Sequence, residues 1–373
     1  MQLPYSDELN IGYLSRLFDN TSNCYKFFWF QAILRKLDGI HSEFTFDELI
    51  NEMIADAWYM VTEYHLRLGP LGVTDNLEEV VKYIHEKYGF MSSEKREKIL
   101  DFLENTEDKR IRKYKSDLTL NVPYRLQVPF YDEISIDKNM WSGSKQSLTN
   151  EINRQGRLMY YFALVSGLGT VIELDDLWAE YLYRHRDILK GWTQFKLIQY
   201  LQNKNPSVPG IADKIEAPAS RDIERVRKYW KLIIQTDSSI KDIYGEVDLV
   251  DESISVDHFV PWQYVAHDEL WNLHPTTKSI NSSKSNSLPL WDMYFNALGE
   301  LEYRAYELKC KNEVVAREFY KIAPYHLNNQ EIRNQLYADG LDRNSFVERL
   351  EHIVKPVYEA ARMMGFKEWF YKT

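Results

Sequence analysis

Apolar residues recur at three- and four-residue intervals through most of the first 236 positions, the spacing that lays one apolar stripe along a helix. Ile50, Ile54, Ala57 and Val61 form one such stripe, and Thr45 with Glu48 has the form of a capping box just ahead of it. The same spacing predicts helices within 75–89, 93–104, 148–165, 174–202 and 221–236, separated by short polar or Pro/Gly breaks. Two stretches stand apart. Thr119 to Asp132, TLNVPYRLQVPFYD, mixes β-branched and aromatic residues with two prolines and predicts an edge strand or loop. Leu158 to Ile172 is the most apolar run; it is too short for a bilayer, is bounded by Arg157 and Glu173, and predicts a buried helix rather than a membrane span. Asn203 to Ala219, with Pro206, Pro209 and Pro218, predicts a surface connection and a hinge.

The pattern changes at Ile243. IYGEVDLVDESISVDHFVPW holds two short β-prone pieces around an acidic turn, followed by a polar loop and a Ser/Asn/Lys-rich run. Helical spacing returns over about 291–322 and 343–364, the latter interrupted by Pro356, which should kink or stagger it. No internal repeat is evident. The expected fold is mainly α with a small inserted α+β unit: a helical recognition or interaction region over 1–236, the insert over 237–295, and a helical region over 296–373 packing on the rest.

Composition narrows the class. A chain of 373 residues, 44% hydrophobic with 14% aromatic and 27% charged, has ample material for a buried core. Cys24 and Cys310 stand alone, with no CxxC or Cys/His cluster, so neither a disulfide framework nor a zinc knuckle is expected. The opening MQLPYSDELN lacks the basic start and apolar run of a secretory signal, and a cytoplasmic setting is expected. A net charge of -10 argues against a protein that coats nucleic acid indiscriminately; any contact with phosphate must be local.

The candidate chemistry lies between Ile254 and Pro289, ISVDHFVPWQYVAHDELWNLHPTTKSINSSKSNSLP. Asp257-His258 is followed after fourteen residues by Asn272 and after nine more by Asn281, with Lys284 three residues beyond. This segment closely resembles the HNH, or His-Me finger, nucleases, in which an Asp-His pair ends a β-hairpin strand, an Asn sits in the loop and a third polar residue lies on the following helix. Its spacing is similar to that of the HNH module of RNA-guided CRISPR effector nucleases, and it lacks the CxxC pairs of zinc-supported relatives. The resemblance covers about fifty residues. It implies a ββα-metal finger within 237–295 and a DNA endonuclease. His258 would be the general base, Asp257 and Asn281 the metal ligands, Asn272 the brace of the loop that orients the base, and Lys284 a phosphate neutraliser.

Those residue types suit the task. An imidazole with an ordinary pKa of about 6.5 can take a proton from water near neutral pH. A carboxylate and an amide oxygen leave most of the coordination sphere to water and phosphate, as Mg²⁺ prefers, with Mn²⁺ as the alternative ion. A zinc set of His258, His267 and His274 competes with this reading but lacks thiolates and regular spacing; His274 reads as a packed loop residue and His267 as part of a polar turn. Trp262 and Trp271 are expected to cover the finger's small core. Lys278, and the face carrying Arg221, Arg225 and Lys228 opposite Ile223, Val226 and Trp230, are candidate nucleic-acid contacts, with a solvated helix face as the plainer reading of the latter. The same holds for Lys109, Arg110, Arg112, Lys113 and Lys115. The partners implied are DNA and either a protein partner or a second copy, with a role in restriction or antiphage defence. The rival reading is a helical interaction subunit whose finger is conditional or inactive.

Overall fold

The computed structural model describes residues 2–131, 138–216, 223–245, 247–249 and 254–371. Among them the chain is mostly helical with small sheets. It divides into two compact units, Met1–Pro206 with Ile211–Ala217, and Ser207–Gly210 with Pro218–Thr373.

The first unit carries α1 (Ile11–Ser15), α2 (Tyr25–Lys36), α3 (Phe46–Thr62), α4 (Asn76–Tyr88), α5 (Arg96–Asn105), α6 (Lys109–Leu118), α7 (Val122–Arg125), α8 (Lys145–Asn153), α9 (Asp176–Arg184) and α10 (Arg186–Lys204). Its strands β1 (Glu43–Thr45), β2 (Tyr160–Leu164) and β3 (Val171–Leu174) form one antiparallel sheet in the order β1-β3-β2. α2 supplies the centre of the core with Phe27, Phe28, Trp29, Phe30, Ile33 and Leu34, all buried. The capping box at the start of α3 is present: the Thr45 hydroxyl accepts from the Glu48 amide at 3.2 Å, and the Glu48 carboxylate accepts from the Thr45 amide at 2.8 Å.

Two expectations are corrected here. Leu158 to Ile172 is not a helix but a hairpin, in which Tyr160 and Phe162 are buried to either side of a half-buried Tyr161, a period of two. The 3₁₀ turn Gly167–Gly169 joins its strands, so the predicted helix over 148–165 ends with α8 at Asn153. Thr119 to Tyr131 is neither strand nor extended loop but a pair of short helical turns, α7 and a 3₁₀ turn at Val128–Tyr131. Pro123 sits in the first turn of α7, where its missing N–H costs nothing. Asp132 lies outside the described residues. α6 is a helix in its own right, and its Lys115 is buried, donating to Asp47 at 3.1 Å and to the Leu103 carbonyl at 2.8 Å.

The second unit carries α11 (Glu224–Thr236), β4 (Ile254–His258), α12 (Trp262–Val265), β5 (Leu273–Thr277), α13 (Lys278–Lys284), β6 (Leu288–Pro289), α14 (Trp291–Lys311), α15 (Glu313–His326), α16 (Gln330–Leu336), α17 (Arg343–Met363) and β7 (Glu368–Trp369). Among the described residues of the first β-prone piece expected after Ile243, the pairing is an isolated bridge between Lys241 and Asp248. β4 and β5 pair antiparallel, and α13 follows β5 directly, giving a β-β-α unit. Val256, Phe259, Val260 and Leu273 are buried in one core with Trp230 of α11 and residues of α14, α15 and α17. Each such side chain contributes about 1.5–3 kcal/mol of burial energy. Two polar ties fix the frame: Trp230 donates its indole N–H to the Leu273 carbonyl at 2.9 Å, and β6 pairs in parallel with β7, Leu288 opposite Glu368. α17 runs through Pro356. No helix among the described residues is long and apolar enough to cross a membrane.

Candidate active site

The β4–β5 ladder decides where each polar side chain goes. Asp257 stands opposite His274 and His258 opposite Leu273, and alternation along a strand sends neighbouring side chains to opposite faces. Asp257 therefore shares its face with Ser255, His274 and Thr276, while His258, the last residue of β4, turns the other way. Each of the pair exposes 5% of its surface.

Asp257 is met by three side chains. Lys284, on the last turn of α13 and fully buried, places its ammonium 3.1 Å and 3.4 Å from the two carboxylate oxygens and donates to the His258 carbonyl at 2.7 Å. Tyr244 donates its hydroxyl to Asp257 Oδ2 at 3.1 Å, and His274 Nε2 lies 3.8 Å from the same oxygen. Burial pushes the Lys284 ammonium below its ordinary value, and the Asp257 carboxylate opposes that shift. Burial also drives the His274 imidazole down to about 3, helped by repulsion from Lys284 and His258 and opposed by Asp257. His274 is thus neutral at ordinary pH, and neither of its ring nitrogens has a hydrogen-bond partner among the described residues. It belongs to strand β5, not to a loop, packed edge-on against Tyr244. Asp242, another buried carboxylate, is pushed up by burial; its Oδ1 accepts from the Tyr244 and Gly245 amides at 2.8 Å each.

His258 Nε2 lies 2.9 Å from Asp268 Oδ1. The intervening loop is held by Asn272, fully buried, whose side-chain oxygen accepts from the Val260 amide at 2.8 Å and whose NH₂ donates to the Val260 carbonyl at 2.9 Å. Both ends of the Asn272 amide are spent on the backbone of one residue, Val260, two residues beyond the imidazole. Trp271 is buried beside this loop and Trp262 half-buried.

Asn281 donates its NH₂ to the Ser255 hydroxyl at 2.7 Å and to the Val256 carbonyl at 3.3 Å, which points the amide nitrogen into β4 and leaves Oδ1 as the outward end. Ser255 and Asp257 share a face of β4, and Asn281 and Lys284, three residues apart on α13, share a face of the helix. One carboxylate and one amide oxygen on facing elements are a donor set that fits a hard divalent cation retaining several waters. Among the described residues no three His, Cys, Asp or Glu side chains gather to hold an ion. The zinc set of His258, His267 and His274 is not assembled among the described residues, where His267 packs at a tilted angle against Trp271.

Of the candidate nucleic-acid contacts, Lys278 is exposed at the first position of α13, Lys228 is exposed on α11, and Arg225 lies over the Tyr325 ring, 3.9 Å from its centroid. Arg221 lies outside the described residues. Lys284 is buried against Asp257 rather than turned to the surface. Asp268, Tyr244 and Asp242 were not among the sequence candidates. The first sits in the run Ala266-His267-Asp268, which reads as a polar turn, and nothing in its spacing pairs it with His258.

Residues 241–290 match the family model described as HNH endonuclease. No curated protein and no solved structure matches the chain.

Proposed function

We propose that residues 237–295 form the nuclease domain of a metal-dependent DNA endonuclease, with 1–236 as its recognition region and 296–373 as helical support. The observation that carries this reading is the placement of a carboxylate, an amide oxygen and an imidazole on one β-β-α unit, within the segment that matches the nuclease family. Asp257 and Asn281 would hold the ion, Mg²⁺ by preference and Mn²⁺ as substitute, because both offer hard oxygen donors. Bound there, the ion would supply charge neutralisation at the scissile phosphate and the leaving oxygen.

The chain's own residues do the rest. His258 takes the proton of the attacking water, a role open to an imidazole at neutral pH. Asn272 fixes the peptide at Val260 and with it the loop behind the imidazole. Lys284 keeps Asp257 paired, and its bond to the His258 carbonyl pins the strand end on which both residues sit. Lys278, Arg221, Arg225 and Lys228 are the side chains through which the duplex backbone would be held.

The test is incubation of supercoiled plasmid with the full chain and Mg²⁺ or Mn²⁺. Nicking and linearisation are expected with either ion and none in EDTA. His258→Ala and Asn281→Ala should each slow cleavage by about 100-fold or more. Cleavage that neither substitution affects would remove this site from consideration.

A further inference from the structure

We infer that Asp268 is the positioning residue of the His258 base and that the end of α15 holds Asp268 in place; the inference rests on the role proposed above for His258. A neutral imidazole has one N–H and one lone pair, and an ionised carboxylate only accepts hydrogen bonds. With Asp268 Oδ1 2.9 Å from His258 Nε2, the proton belongs on Nε2 and the lone pair on Nδ1. Nδ1 is therefore the nitrogen that receives the proton of water. As the water oxygen bonds to phosphorus and the bond from phosphorus to the leaving oxygen breaks, the water proton passes to Nδ1. The leaving oxygen takes a proton from solvent. The imidazolium so formed already has a carboxylate against its other nitrogen, which stabilises it without any rearrangement.

Asp268 needs support of its own, because it stands on a loop. Ala266, in the left-handed region at φ 55°, turns the chain out of α12 and into that loop. The Asp268 carbonyl faces His326 Nδ1 at 2.7 Å, and the neighbouring Glu269 Oε1 accepts from the backbone amide of Asn328 at 3.1 Å and from its side-chain NH₂ at 2.8 Å. His326 and Glu269 are buried, so these bonds are shielded from competing water. His326 ends α15, fifty-eight residues along the chain from Asp268. The C-terminal helical region thereby holds the loop behind the base through three hydrogen bonds, while Asp268 keeps enough exposure, 19% of its side chain, to sit at the edge of the site.

Two measurements on the full chain test this. In the metal-free protein, ¹⁵N-histidine correlation spectra should show His258 protonated on Nε2 in the wild type and a mixture of tautomers in Asp268→Ala. In plasmid cleavage, Asp268→Ala and the isosteric Asp268→Asn should each lower kcat by about 10- to 100-fold, with KM and melting temperature near wild type and partial recovery in Asp268→Glu. His326→Leu should lower kcat by about 10-fold through the loop. Wild-type His258 protonated on Nδ1 would overturn the inference. So would kcat within about twofold of wild type in both Asp268 variants while His258→Ala abolishes cleavage. Loss of cleavage in Asp268→Ala through misfolding would show in its melting curve, and the wild-type tautomer would then decide. A fully active His258→Ala would instead defeat the nuclease reading of this site.

Discussion

His274 occupies a rung where most hairpins would place an apolar residue, and its imidazole is held neutral by burial. The linkage has a definite sign. The unfolded chain binds the extra proton below about pH 6.5 and the folded one only near 3, so between those values acid favours unfolding. Lowering the pH from about 7 to about 5 should cost about 2 kcal/mol through this residue. His274→Val should lose correspondingly less, measured by denaturant unfolding in EDTA at the two pH values. Equal losses in the two proteins would show that burial does not set this imidazole's protonation. The residues legible in the sequence were those whose meaning is local: Asp257, His258, Asn272 and Asn281 stand at fixed spacing whatever packs around them. Asp268, the orphaned imidazole and the Lys284–Asp257 pair were not, because each depends on strand register or on a loop path. Lys284, expected at a phosphate, instead meets its carboxylate across twenty-seven residues of chain.

At the scale of elements, the β-β-α unit borrows its stability. α11 supplies the Trp230 indole bond to β5, β7 closes on β6, and Tyr244 packs against Tyr294 and Trp369. Residues 240–295 expressed alone should therefore show no cooperative thermal unfolding by circular dichroism, since they lack α11, most of α14, α17 and β7. A sharp transition in that fragment would mean that the hairpin and α13 suffice. The helices with a regular apolar stripe were visible from spacing alone, α3 with its capping box most plainly. The Tyr160–Leu174 hairpin was not, because a run apolar throughout carries no period, and Gly167 and Gly169 mark its turn only once the strands are seen. The turn at Val122–Arg125 was hidden by Pro123, which disfavours a helix interior yet suits a first turn.

At the scale of the whole chain, the division into two units puts every residue of the candidate site in the second, together with Ser207–Gly210. The Ser207 carbonyl accepts from the Tyr264 hydroxyl at 2.8 Å, which ties that short segment to the residues after β4. Residues 207–373 should accordingly fold alone with a single cooperative transition and retain ion-dependent cleavage, at reduced affinity for DNA if the first unit recognises the substrate. An unfolded 207–373 would show that the second core is incomplete without the first. The parallel pairing of β6 with β7 has a further bearing on timing. A ribosome adding roughly 5–20 residues per second delivers Trp369 several seconds after Lys284. Through that interval a nascent polypeptide holds Asp257, His258 and Asn281 without the strand that pairs with β6, so any activity of the β-β-α unit that needs that brace would wait on the synthesis of β7.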